Sequence, residues 1–160
     1  MSFDPIINAS MYIQIHAVCA IAALLLGPIA LYRRKRDRIH KYVGYVWMTA
    51  MTTTAITSFW IREINADGSL SPVHILAITA ICTIVYSVWS VRNGNLRAHK
   101  ASLRNLYFFG TAGALTFNFL PNRTIPKMFF DGGSFFTFCI AASIITIVVL
   151  SLHTLSRNRI

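Results

Sequence analysis

The sequence predicts an all-α fold: a polytopic membrane protein of five transmembrane helices, the first four a duplicated two-helix unit forming a four-helix bundle. Three observations carry that expectation. Of the 160 residues 55% are apolar and 12% are charged, about half the charged share of a soluble domain. The apolar residues fall in five runs near the ~20 residues a helix needs to cross a hydrocarbon core about 30 Å thick. Twelve of the fifteen Lys and Arg side chains sit on alternate connections between those runs, the positive-inside pattern of an inserted protein.

The first helix is expected over 9–32. The segment before it, MSFDPIINAS, has no basic residue, and the run is too long for a signal-peptide core, so no cleavable signal is expected. Gly27-Pro28 predicts a kink near its inner end, because proline removes one backbone hydrogen bond and crowds the preceding turn. The connection RRKRDRIHK follows, with six basic residues and one acid over 33–41. The second helix, 39–61, contains TAMTTTAITS, whose hydroxyls are expected to bond within the helix.

The third helix is expected over 73–91, after Ser71-Pro72. A second basic connection, VRNGNLRAHKAS, brings Arg92, Arg97, Lys100 and Arg104 into 92–104. The fourth helix, 103–120, is short and rich in Gly and Thr (GTAGALT). The fifth, 134–155, leads into a tail with Arg157 and Arg159. Trp60 and Trp89 near helix ends suit the membrane interface.

The charge pattern places the N-terminus outside and both basic loops and the C-terminus in the cytoplasm of a bacterium, with the chain integral to the inner membrane. Expected partners are the bilayer and anionic lipid headgroups at the cytoplasmic face. Nucleic acid is excluded, because neither basic loop interleaves aromatic residues with its charge. Cys19, Cys82 and Cys139 lie inside helices and read as small apolar filler, with no disulfide framework.

Placing His16 over His74 aligns IHAVCAIAALLLGPIALYRRKRDRIHK with VHILAITAICTIVYSVWSVRNGNLRAHK. The distance from His to His-Lys is 24 residues in one and 25 in the other. We read one transmembrane domain over 1–160, with two-helix repeats at 9–62 and 72–121 and an additional fifth helix at 134–156. Since each unit crosses twice, the axis relating the copies runs along the membrane normal.

His16 and His74 fall toward the outside, and His40, His99 and His153 toward the inside. Ionisable groups at membrane depth are costly and tend to face the bundle interior. In a two-fold bundle His16 would face His74, and His40 would face His99. A six-coordinate haem iron takes one neutral nitrogen from each side of the porphyrin. The two pairs are therefore candidate axial ligands for one or two haem b groups. From His16 to the inner end of its helix is about 25 Å at ~1.5 Å per residue, so two such sites would serve the two faces of the membrane.

Gly44, one turn beyond His40 on the same face, leaves room for a flat group, and Ala17 and Ala77 flank the outer pair. In the second repeat the position of Gly44 is taken by Leu103. The plainer reading makes the histidine of SPVH an interfacial residue at a helix start and His40 a member of the basic patch. Zinc or copper on these histidines would lack the third and fourth protein ligands such sites collect, with Cys19 a candidate third ligand beside His16. No constellation for hydrolysis is visible, and no span contains the carboxylate an ion-coupled transporter uses.

Residues 12–120, with His16, Gly27-Pro28, His40 followed by Gly44, Ser71-Pro72-x-His74 and His99, resemble the bacterial predicted membrane proteins grouped as domain of unknown function 2306. The resemblance covers about two thirds of the chain. It implies four membrane helices with recurring histidines and supplies no reaction. Where the family pattern has Trp-Met after the last histidine, Ser102-Leu103 stands here. The layout is more loosely similar to di-haem b-type transmembrane cytochromes, an analogy that does not fix function.

The expected function is b-type haem binding with transmembrane electron transfer, as a membrane redox protein served by a quinone or another redox partner. The alternatives are a cofactor-free membrane scaffold or assembly factor, and a metal or small-ligand transporter.

Overall fold

The apolar runs and turn signals become helices in the computed structural model, which describes residues 7–33, 37–61, 72–118 and 135–157. All regular structure among them is helical. In chain order the elements are α1 (Met11–Tyr32), α2 (Arg38–Ser58), α3 (Pro72–Arg92), α4 (Leu96–Asn105), a π-helical turn (Leu106–Gly110), α5 (Thr111–Asn118) and α6 (Phe135–Arg157). Residues 34–36, 62–71 and 119–134, which hold most of the expected connections, lie outside the described set. So does the tail beyond 157.

α1 and α3 are each long and apolar enough to cross a membrane. α2 and α6 have 21 and 23 residues, a comparable length at ~1.5 Å per residue.

The chain forms two compact units, Ser10–Tyr107 and the remainder, 1–9 with 108–160. Within Ser10–Tyr107, α1 packs on α2, α2 on α3 and α3 on α4, and α4 also touches α1. The seams are built from small residues. Ala23 and Ala30 of α1 meet Ala50 and Trp47 of α2 and Leu103 of α4, while Ala55 of α2 meets Ala77, Ala80 and Ile84 of α3 and Leu106. Trp47, Ile84, Leu103 and Leu106 fill the gaps between these alanines, while many other large apolar side chains point outward: Val18, Leu25, Ile75 and Val85 are each more than 60% exposed. Small inside and large outside is the arrangement a bilayer permits, because lipid solvates the outer face and small residues let backbones approach.

Gly27 shows how close that approach is. A Cβ there would overlap Cε2 of Tyr107, so the Tyr107 ring occupies the space where any other residue would carry its side chain. Trp47, 1% exposed, donates from Nε1 to the Ala23 carbonyl at 2.9 Å. Its indole thus brings an apolar body and a satisfied polar edge into the same seam.

The hydroxyls of α2 behave as the sequence predicts. Thr52 donates to the Met48 carbonyl at 2.8 Å, Thr54 to Ala50 at 2.9 Å and Ser58 to Ala55 at 2.7 Å. Each closes a bond inside its own helix, which is how such side chains are tolerated in apolar surroundings.

One expectation is corrected. The second basic connection, expected as a loop over 92–104, is a turn of a few residues followed by α4. Gly94 takes the left-handed conformation at φ +76°, and Asn95 caps α4 by accepting from the Ala98 amide at 3.0 Å. Arg, Lys, Leu and Ala are all good helix formers, so a capped stretch dense in charge has no reason to stay irregular.

In the second unit α5 packs on α6. α6 turns Ile144 and Ile147 outward, both more than half exposed.

Candidate functional site

His99 lies in the first turns of α4 and its imidazole meets α3. Nδ1 is 2.8 Å from the Ser87 hydroxyl and 3.1 Å from the Ser87 carbonyl oxygen. A carbonyl can only accept, so Nδ1 carries a proton, which in the neutral ring leaves the lone pair on Nε2. Ser87 is 0% exposed, and the His99 carbonyl accepts from Ser102 Oγ at 3.0 Å and from Ser87 Oγ at 3.4 Å. The α3–α4 hairpin therefore holds this imidazole in one tautomer from both sides.

His16 on α1 is also held by the adjacent helix. Its Nδ1 is 3.1 Å from the Thr57 hydroxyl on α2. That hydroxyl also lies 2.8 Å from the Thr53 carbonyl and 3.1 Å from the Thr54 carbonyl, and its single proton serves either a carbonyl or the imidazole, so Thr57 anchors the ring without fixing its tautomer. His74, at the start of α3, stacks on Phe59 with centroids 5.4 Å apart and planes at 28°. Thr57 and Phe59 are two residues apart, about 200° around a helix. His16 and His74 thus reach the end of α2 on different sides.

His40 sits three residues after the α2 N-cap, and its amide donates to Asp37 Oδ1 at 3.0 Å. Asp37 also accepts from Arg33, Nε to Oδ1 at 3.0 Å and a terminal nitrogen to Oδ2 at 2.5 Å. The Arg33 hydrogen bond and then the His40 amide hold the Asp37 carboxyl well below the usual carboxylate range. Counted from the caps, His40 is the third helical residue of α2 and His99 the fourth of α4, so the cap registers differ by one residue from the His-Lys alignment. Gly44, one turn on, would place a Cβ in open space, with nothing within 4 Å. Leu103, at the matching position of the second half, is buried in the α1–α2 seam.

His153 on α6 lies against Phe108 and Phe109, with centroids 5.7 and 5.1 Å away. These belong to the π-helical turn, a form frequent at functional positions. Cys19 and Cys82 are free thiols; the side chain of Cys139 lies outside the described set. Among the described residues no group of three or more His, Cys, Asp or Glu side chains is placed to hold a metal ion.

The sequence identified the histidines but not the residues that orient them. Thr57 was one hydroxyl among several in TTTAITS, and nothing in SVWS marked Ser87 as a partner for a residue twelve positions on. A serine on the inner face of a helix, one hairpin away from a histidine, is the signal that would have found it.

Comparison with known proteins gives one match. The family described as "Predicted membrane protein (DUF2306)" matches residues 13–154. No curated protein and no solved structure matches the chain.

Proposed function

The chain belongs to the predicted membrane protein family DUF2306, and on that premise we propose that it is a b-type haem-binding protein carrying electrons across the bacterial inner membrane. The observation that carries the reading is the orientation of His16 and His99, each held through Nδ1 by an adjacent helix. His99 donates from Nδ1 to a carbonyl of the adjacent helix, which leaves Nε2 as the basic nitrogen of the neutral ring, and His16 is likewise held through Nδ1 by a hydroxyl of the adjacent helix. Metal-bound histidines are characteristically held this way, the far ring nitrogen bonded to the protein so that orientation and basicity are set in advance.

The residues that would hold haem are His16 with His74 toward the outside and His40 with His99 toward the inside. Helices packed in the cyclic order α1, α2, α3, α4 make α1 and α3 one diagonal and α2 and α4 the other, the relation each pair requires. The bare backbone at Gly44 supports close approach of a flat group one turn from His40. When bound, haem supplies one-electron chemistry that no side chain here provides.

The remaining parts of the reading follow from charge and length. α1, α2, α3 and α6, with a fourth span over 103–120, make five crossings. The N-terminus lies outside and the basic segments meet anionic headgroups within. A quinone or another redox partner exchanges the electrons.

The test is the visible spectrum of the purified protein, air-oxidised and then dithionite-reduced. A Soret band with sharpened reduced bands, lost in His16→Ala or His74→Ala, is expected. Colourless protein from cells with ample haem would overturn the reading in favour of a cofactor-free scaffold.

A further inference from the structure

Arg104, in the last turn of α4, has a buried Nε with no hydrogen-bond partner, although the residue as a whole is part-exposed. A guanidinium is a fork of five donors that stays charged. Sealing one donor away from both water and protein forfeits its solvation, a cost that an anion held by the accessible remainder of the guanidinium would offset through the delocalised charge. Among the described residues the one side-chain carboxylate is Asp37, and Arg33 already engages both of its oxygens.

The surroundings define the partner. Arg97, Lys100 and Arg104 are spaced i, i+3, i+7 and share one face of α4. Arg97 and Lys100 are exposed, while Leu103, the neighbour of Arg104, is buried against α1 and α2. The stripe therefore runs from the surface down to the apolar seam. Side chains on a helix slope toward its N-terminus, so a long arginine rooted at this depth carries its head back toward the level of Lys100, its stem lying along apolar surface.

The hairpin register set by Ser87 with His99, and by the Asn95 amide donating to the Ser90 carbonyl, brings Tyr86 and Trp89 of α3 to the level of Lys100 and Arg97. Tyr86 and Trp89 lie 6.1 Å apart, and each is at least half exposed. Cations above, exposed aromatics at the same level and apolar surface below suit a molecule that is an oxyanion at one end and hydrocarbon at the other.

We propose that Arg104, with Lys100 and Arg97, forms a discrete site for the phosphate of an anionic phospholipid. The site rests on the reading that this basic hairpin lies at the anionic face of the membrane. It differs from the diffuse attraction of the 33–41 segment in having one fork, fixed by its own helix, that takes phosphate oxygens in pairs.

The test is native mass spectrometry of the full chain in mild detergent, with phosphatidylglycerol, phosphatidylcholine or inorganic phosphate added. Wild type is expected to retain one phosphatidylglycerol under activation that strips phosphatidylcholine. Arg104→Gln should lower that retention by about tenfold, the loss expected for a charge-assisted pair, and Arg104→Lys, which keeps the charge without the fork, by less. Arg97→Gln should change it only slightly. Retention unchanged in both Arg104 variants, but reduced when Arg33, Arg34, Lys35 and Arg36 are neutralised, would overturn the site and leave the diffuse patch standing. Displacement of phosphatidylglycerol by inorganic phosphate would reassign the site to the free anion and overturn the lipid. Equal retention of the two lipids by wild type would overturn the underlying reading of the hairpin as well.

Discussion

Tyr107 donates its hydroxyl proton to the Leu24 carbonyl at 3.1 Å, the carbonyl that Pro28, lacking an amide, leaves without its partner four residues on. Helix α1 continues through Pro28 to Tyr32. Proline inside a helix in an apolar medium is tolerated where a neighbour satisfies the freed group, and here the neighbour is a tyrosine 83 residues away in sequence. The same ring fills the space that Gly27 leaves open. Gly27, Pro28 and Tyr107 are thus one structural unit, in which the glycine admits the ring and the ring replaces the bond that the proline removes.

Tyr107→Phe keeps the ring and loses the donor. It is expected to destabilise the protein by about 1 kcal/mol, and by up to ~3 kcal/mol if no other donor reaches the carbonyl. In a Pro28→Ala background the amide regained at that position takes over the Leu24 carbonyl, so the same change should cost much less. Thermal melts of the four proteins of this double-mutant cycle in one detergent read the coupling, and additive effects would contradict it.

Gly27→Ala should be more damaging than its size suggests, about 1–3 kcal/mol from overpacking, because the added carbon meets the Tyr107 ring. Combining it with Tyr107→Ala should return part of that loss. Gly44→Ala, where a Cβ meets open space, should leave the melting temperature of haem-free protein nearly unchanged, which makes it the control.

Ser87→Ala and Thr57→Val remove the groups that orient His99 and His16 while leaving the histidines in place. If those histidines ligate haem, affinity should fall by about 10- to 100-fold, the usual consequence of losing an outer partner. Haem titration followed in the visible region measures this, and the type of reduced spectrum should persist in whatever fraction stays loaded. A fall in affinity no different from that of Thr52→Val, whose hydroxyl bonds its own helix, would argue against an orienting role.

The Asp37 carboxyl is held below its ordinary value by Arg33 and the His40 amide. A depressed carboxyl contributes stability that is complete above its unfolded value, near pH 3.9, and that is lost as pH falls through the lower folded value. Melting temperature should therefore carry no Asp37 contribution to its pH dependence from pH 8 to about 5, with a loss only in stronger acid. Asp37→Asn, which keeps a capping oxygen but not the charge, should abolish that acid-side component. Asp37→Ala should also lower stability at neutral pH, because α2 then begins without a cap.

The histidines and the basic stretches were legible in the sequence because both are costly in an apolar chain and so stand out by composition alone. The helix limits of the first, third and fifth runs fall within two residues of expectation at the ends that are described, since length and hydropathy are local properties. The second basic connection reads as a loop when its charges are taken for topology alone, whereas helix formation there depends on Asn95 as a cap and on the conformation of Gly94.

By itself the sequence determined that the chain is helical and apolar over membrane-length runs, where its positive charge lies, and which imidazoles are candidates for chemistry. Those are properties of residues within a few turns of one another. Only the tertiary structure decided that Tyr107 completes the helix at Pro28, that Ser87 and Thr57 hold the imidazoles of His99 and His16, and that Arg104 keeps a buried donor without a protein partner. Each is a hydrogen-bond relation between helices, or the lack of one. A hydrogen bond of about 3 Å depends on which faces of two helices meet, and that is settled by how small residues let the helices approach.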